Sequence, residues 1–179
     1  MSQRETTYAW ETPPELWRGL KPGAAWNGSV VSLYIAPEPA GPMISVAEVR
    51  ALADRGLEGD RFFRGSWAAA KRPDKAVSLI EEEVLEMAAA EHQVTIAGEK
   101  TRRNILTRGV PLIELLDRDF MIGNVVMRGI RLFEPCAHLE KVSHISGIFR
   151  ALENRSGLKA AILSDGVIRT GDPIALAGC

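Results

Sequence analysis

The residue most able to do chemistry is Cys136, in the stretch "LFEPCAHLE" from Leu132 to Glu140, right after a proline and two residues before His138. Pro135 stiffens the chain before it, and "CAHLEK" can begin a helix, where unpaired backbone N–H groups and the helix dipole favour a thiolate. The same position suits a small buried hydrophobe, because free cysteine is among the most buried residue types. A helix running on without a break would set Cys136, Glu140 and His144 four residues apart on one face, but Ser143 and Gly147 interrupt that pattern. A structural zinc centre wants four ligands, and only His138 could readily be added. The second cysteine, Cys179, is the last residue and reads as a frayed, dispensable thiol, so the pair forms no disulfide framework.

Two further segments carry polar groups in suggestive company. In "ADRGLEGDRFFRG", Gly56 and Gly59 allow tight turns, while Asp60 and Arg61 offer an acceptor and a fork of donors suited to an anionic or heteroatom-rich ligand. The same residues make a plain turn between strands with a surface ion pair, and the third glycine and following helix of a dinucleotide fingerprint are missing. In "EKTRRNILTRG", Arg102, Arg103 and Arg108 bracket Asn104, Thr107 and Gly109, a set able to bind phosphate, or equally a polar strand face with solvated arginines. Alternate residues of a strand point to opposite sides, so only one of Arg102 and Arg103 could line a pocket from within a strand, and Arg103 beside Asn104 is the one favoured. "RTGDPI" needs no more than a turn into a terminal strand, and His92 ends an acidic helix as a surface residue.

The elements that must position these groups are mostly short strands. Residues 1–22 read as an N-terminal arm, with Trp10 and Trp17 docking it and "TPPELW" entering a short helix; residues 23–179 read as one domain. "GSVVSLYIA" and "MISVAEVRAL" form a hairpin pair about "PEPAGP". "AVSLI" leads into the helix "EEEVLEMAAAEH", with Val84, Leu85 and Ala88 on its apolar side. "RNILT", a short helix in "VPLIELLDR", and the strands "DFMIG" and "VVMRGIRLFE" follow. "SGIFRALENRSG" reads as a helix capped by Ser146 and stopped by Gly157, ahead of the strands "KAAILS" and "VIRTGDPIAL" about an Asp165-Gly166 turn. This order predicts a mostly β, α+β fold, a largely antiparallel barrel with about three surrounding helices, rather than a doubly wound sheet.

Composition narrows the function classes. A chain of 179 residues suits one domain, and 22 basic against 23 acidic side chains give a net charge of −1, which supplies no broad field for nucleic acid. With no secretory h-region and no apolar run long enough to span a membrane, a cytoplasmic protein is expected, with no nucleic acid or membrane partner. The sequence leaves a homodimer open.

Taken in order, "GLEGDR", "AVSLI", "RRNILTRGVPL", "FEPCAHLE", "GLKAAIL" and "IRTGDPI" resemble the MOSC family, named for the C-terminal domain of molybdenum cofactor sulfurases. The resemblance covers about residues 27–177 and implies a β-barrel with surrounding helices. It implies that Cys136 is the signature cysteine, a molybdenum ligand and catalytic residue in members that bind molybdenum cofactor (molybdopterin). In sulfurase-like members that cysteine would instead carry a persulfide. Gly59, Asp60, Arg61, Arg103, Asn104 and Thr107 match segments that line the family's pocket, whereas the histidine many relatives carry after the matching Gly-Asp-Arg is Phe62 here. The activity implied is reduction of N-hydroxylated compounds with electrons from a separate reductase. Sulfur transfer from a cysteine desulfurase partner, or a non-catalytic pterin-binding module, are the alternatives. The chain has too few cysteines for an iron–sulfur cluster and no room for a pyridoxal phosphate desulfurase domain.

Overall fold

The computed structural model describes residues 26–63 and 72–178. The expected arm with Trp10 and Trp17 lies outside the described residues. In chain order the strands are β1 (Gly28–Ile35), β2 (Ile44–Val46), β3 (Glu48–Leu52), β4 (Gly56–Leu57) and β5 (Val77–Glu81), followed by helix α1 (Glu82–His92). Then come β6 (Ile105–Arg108), β7 (Asp119–Ile122) and β8 (Val125–Leu132), helices α2 (Ala137–Ser143) and α3 (Ile148–Leu152), and β9 (Leu158–Ile162), β10 (Gly166–Arg169) and β11 (Pro173–Leu176). Three 3-10 turns, Pro73–Lys75, Gly98–Thr101 and Leu112–Leu115, fill connections.

Seven strands close a barrel in the order β11-β7-β8-β9-β5-β6-β1, with β1 returning to β11 through Gly28 opposite Ile174, and β2 hangs on the outer edge of β1. Of these neighbours only β5 and β6 run parallel, joined by the α1 crossover, so the barrel is mixed but largely antiparallel, as the strand-rich sequence predicts. A small second sheet, β10-β3-β4, adds Val49, Ala51, Leu57 and Ile168 to the core.

Alternation explains which face goes where. Leu79 on β5 and Ile105 on β6 point into the barrel with Leu33, Phe120, Met127 and Leu158. Their neighbours Ile80 and Leu106 point outward into a second cluster with Val84, Leu85 and Ala88 of α1, Leu139 of α2 and Ile148, Ala151 and Leu152 of α3. Both faces of β5 are therefore covered, which is why "AVSLI" is apolar without alternation. Gly129 in β8 permits the Leu112–Leu115 turn to pack against the strand, since a Cβ there would collide with the Leu115 carbonyl.

Three elements differ from the sequence reading. "MISVAEVRAL" is two strands broken at Ala47, one paired with β1 and the other with β10. "VIRTGDPIAL" likewise splits, because Gly171 takes φ +88° and the Asp172 side chain accepts the Arg169 N–H (2.8 Å), a turn that sends β10 and β11 to different sheets. Helix α3 starts after Gly147 in the left-handed region, without the Ser146 side-chain cap, and ends at Leu152 well short of Gly157. The Gly147 N–H is taken by the Glu140 carboxylate at 2.9 Å, which fixes the corner between α2 and α3. No helix among the described residues is long and apolar enough to cross a membrane.

Candidate functional site

At one end of the parallel pair β5–β6 lies a cleft of about 120 Å³, walled by the 60–62 loop, the Pro73–Lys75 turn, the start of β5, Arg102, Asn104, Phe133 and Lys159. Its floor is a closed polar network. The Asn104 side-chain oxygen accepts from the Ser78 N–H (3.1 Å) and Oγ (2.9 Å), and its amide donates to the Tyr34 carbonyl (3.2 Å) and to Asp60 Oδ2 (3.1 Å). Asp60 also accepts from the Ala36 N–H (2.9 Å) and, through Oδ1, from the Phe62 N–H (2.9 Å). Both side chains are buried with their bonding capacity largely used within the protein. They pin the ends of β1, β5 and β6 to the loop that displays Arg61 and Phe62.

The adjacent arginines do different work. Strand β6 begins only at Ile105, so Arg102 and Arg103 are not under strand alternation, and Arg102 sits in the left-handed region (φ +63°) ending the Gly98–Thr101 turn. It is Arg102 that lines the cleft, with a hydrogen bond to the Gly41 carbonyl. Burial lowers its pKa and the nearby Arg61 charge lowers it further, against the pull of Asp60. Two guanidinium groups repelling each other at a cleft have the chemistry to take an anion.

Arg103 is 3% exposed and faces inward. Its Nε donates to the Ser156 carbonyl (2.9 Å), Nη1 to the Thr101 carbonyl (2.7 Å) and Nη2 to the Ser156 hydroxyl, while its guanidinium stacks 3.5 Å from the Phe133 ring centre. Burial pushes its pKa down to about 9, countered by Cys136 and Glu134, so it stays charged at neutral pH. Gly157 makes this arrangement fit: its φ is +98°, and a Cβ would strike the Leu79 carbonyl beneath it.

Lys159 approaches the same ring, its Nζ 4.2 Å from the Phe133 centre. Half-burial lowers its pKa to about 8, helped by the charge of Arg131. Asp74 opposes that shift only in part. Burial alone would raise the Asp74 pKa, but hydrogen bonds from Arg72 (3.3 Å) and Arg131 (3.2 Å) overcome that and leave it lowered and engaged. A chain with net charge −1 thus gathers Arg61, Lys75, Arg102 and Lys159 around one cleft.

Cys136 is exposed, which removes the buried-thiol alternative. Its backbone is extended (φ −127°, ψ 158°), and its carbonyl accepts the Leu139 N–H (2.8 Å) as α2 begins. It follows the cleft residue Phe133 by three positions and lies within electrostatic reach of Arg103 behind that ring. His138 is exposed, and α2 stops at Ser143 with His144 in the left-handed region, so the helix does not continue through a Cys136, Glu140, His144 face. Among the described residues no group of three His, Cys, Asp or Glu side chains could hold a metal ion.

Of the residues singled out in the sequence, Asp60, Arg61 and Asn104 line the cleft and Arg103 supports it from behind. Gly59 turns the loop at φ +85° without lining the cleft. Thr107 is three residues along β6, fully buried, its hydroxyl donating to the Ile80 carbonyl (3.2 Å). Arg108 turns outward to Glu82 (2.7 Å) and Glu86 of α1. Sequence reading missed Lys75, Phe133 and Lys159. Lys159 carries no local signal, being one polar residue in an apolar strand. The Arg-Arg-Asn order did hold the signal for Arg102, once the strand start was placed after it.

A family model for the MOSC domain matches residues 54–175. Among solved structures, the fold is similar to that of the YuaD protein from Bacillus subtilis, with TM-score 0.69 and 19% identity over 85% of this chain and 98% of that one. It is also similar to YiiM from Geobacillus stearothermophilus, with TM-score 0.65 and 18% identity over 84% of this chain and 75% of that one. YiiM from Escherichia coli gives TM-score 0.62 and 20% identity over 86% and 70%. At these identities the likeness is one of fold. No curated protein matches the sequence.

Proposed function

The chain belongs to the MOSC domain family, a family associated with the molybdenum cofactor, and from that premise we propose that it binds molybdenum cofactor (molybdopterin) in the cationic cleft, with Cys136 as the thiolate ligand. The observation that carries this reading is a cleft lined by Arg61, Lys75 and Arg102, with the exposed Cys136 thiol three residues along the chain from its wall residue Phe133. The residue types fit the group: a soft sulfur donor suits the metal, and forked guanidinium donors suit a phosphate. Arg61, Arg102 and Lys75 would hold the anionic part, Phe62 and Phe133 would supply apolar wall, and the Asn104–Asp60 network would hold the loops in place. When bound, molybdenum supplies two-electron redox chemistry.

The reaction proposed is reduction of an N-hydroxylated compound. The nitrogen–oxygen bond breaks, two electrons arrive from an external reductase, and of the two protons taken up one joins the hydroxyl oxygen, which leaves as water, and the other joins the nitrogen. Protein produced in a host able to make the cofactor, given a chemical electron donor, is expected to convert a hydroxylamine or N-hydroxyamidine to the amine or amidine, and Cys136→Ser to abolish this. No conversion by protein that contains molybdenum would overturn the activity.

The exposure of Cys136 also favours a second reading, sulfur carriage from a cysteine desulfurase. Under it, the isolated protein carries a one-sulfur mass increment that reductant removes and Cys136→Ser never acquires.

A further inference from the structure

Lys159 stands apart from the other cations of the cleft. Lys159 lies in β9, its Nζ is 4.2 Å from the Phe133 ring centre, and it makes no salt bridge among the described residues, while Asp74, which attracts it, pairs directly with Arg72 and Arg131. The charged groups facing it are Arg131 on β8, Asp74 and Lys75 on the Pro73–Lys75 turn, and Arg103 across the ring. All but Asp74 are cations, and half-burial together with these like charges lowers the amine's pKa to about 8 against the pull of the ring and Asp74, so a sizeable neutral fraction exists near that pH. A neutral amine is a nucleophile. The nearby Arg61 and Arg102, at the mouth of the same cleft, attract phosphoryl groups.

We propose that Lys159 is an acylation site, its amine taking the acyl group of small acyl phosphates whose phosphate is held by the cleft cations. The amine nitrogen attacks the carbonyl carbon, a nitrogen–carbon bond forms, and the carbon–oxygen bond to phosphate breaks. Inorganic phosphate leaves, and the proton lost from nitrogen passes to solvent. Nothing is oxidised or reduced. The product amide is neutral and occupies space over Phe133, so acylation weakens anion binding in the cleft and acts as a brake on whatever anionic ligand it holds.

The test treats the full chain with acetyl phosphate at pH 7.5 and follows each lysine by peptide mass spectrometry. Lys100 and Lys141, both exposed, are internal references. With its pKa near 8, Lys159 is expected to react roughly tenfold faster than either reference, the larger neutral fraction outweighing its lower intrinsic nucleophilicity. Its rate should saturate with acetyl phosphate, fall when inorganic phosphate is added, and fall in Arg102→Gln, while the references change in none of these ways. Acetylation of Lys159 no faster than of Lys100 and Lys141, or linear in reagent and indifferent to phosphate, overturns the proposal. Neither result depends on whether molybdenum binds, because the reagent needs only the amine and the cations.

Discussion

At the scale of single residues, Arg102 and Arg103 show how little a side chain's identity decides. Arg103 is a bolt: buried, with three charge-assisted bonds to Thr101 and Ser156 and an aromatic ring on one face. Arg102, one position earlier, faces the cleft opposite Arg61. Arg103→Lys cannot reproduce the fork and should destabilise the fold by about 2–4 kcal/mol, seen as a lower denaturant midpoint at unchanged slope. Arg102→Lys should cost less than about 1 kcal/mol in the same measurement. The reverse order would mean the two roles are assigned the wrong way round. Sequence reasoning favoured Arg103 for the pocket because it stands beside Asn104, with only one of the two arginines able to line a pocket if both lay in a strand. The decisive fact, that the strand starts at Ile105 after a left-handed Arg102, depends on the Gly98–Thr101 turn and the Asn104 network, which no local pattern announces.

At the scale of elements, the β5–α1 junction holds a carboxyl group in an apolar setting. Glu81 ends β5 inside the protein, accepting the Leu112 N–H at 3.2 Å, and burial raises its pKa from 4.5 to about 7, with backbone hydrogen bonds opposing and Glu83 adding to the rise. A carboxyl whose folded pKa lies above its unfolded one binds more protons folded than unfolded between those values. Stability is therefore greatest below about pH 4.5 for this group, declines as pH rises to about 7, and is flat above. The full effect is on the order of 3 kcal/mol. Thermal melts of Glu81→Gln should show higher stability than the parent at pH 8 and a weaker decline between pH 5 and 7; equal slopes would show that Glu81 does not titrate in that window. Most elements themselves were legible, since α1, β5, β7 and β8 follow from periodicity and turn chemistry. The breaks at Ala47 and Gly171 were not, because a strand that changes sheets keeps its alternation and differs only in its partner.

At the scale of the whole molecule, barrel closure and the helix layer converge on one end of β5 and β6. Those strands bury apolar side chains on both faces, and a cluster of polar groups collects where they begin: Ser78, Asn104 and the 60–62 loop, with Phe133 of the turn leading to Cys136. This is why motifs far apart in the sequence, "GLEGDR", "RRN" and "FEPC", meet at one cleft although the chain's net charge is only −1. Their common membership in one family was readable from their order, and the barrel from the run of short strands. The cationic character of the cleft was not, since Lys75 and Lys159 come from an irregular turn and an apolar strand. The account stands most directly on the molybdenum and pterin content of the purified chain from a host that makes the cofactor, compared between the parent and Cys136→Ser. It predicts about one molybdenum per parent chain and at least roughly tenfold less in folded Cys136→Ser. A parent without molybdenum, or a Cys136→Ser protein that retains it in full, would contradict it.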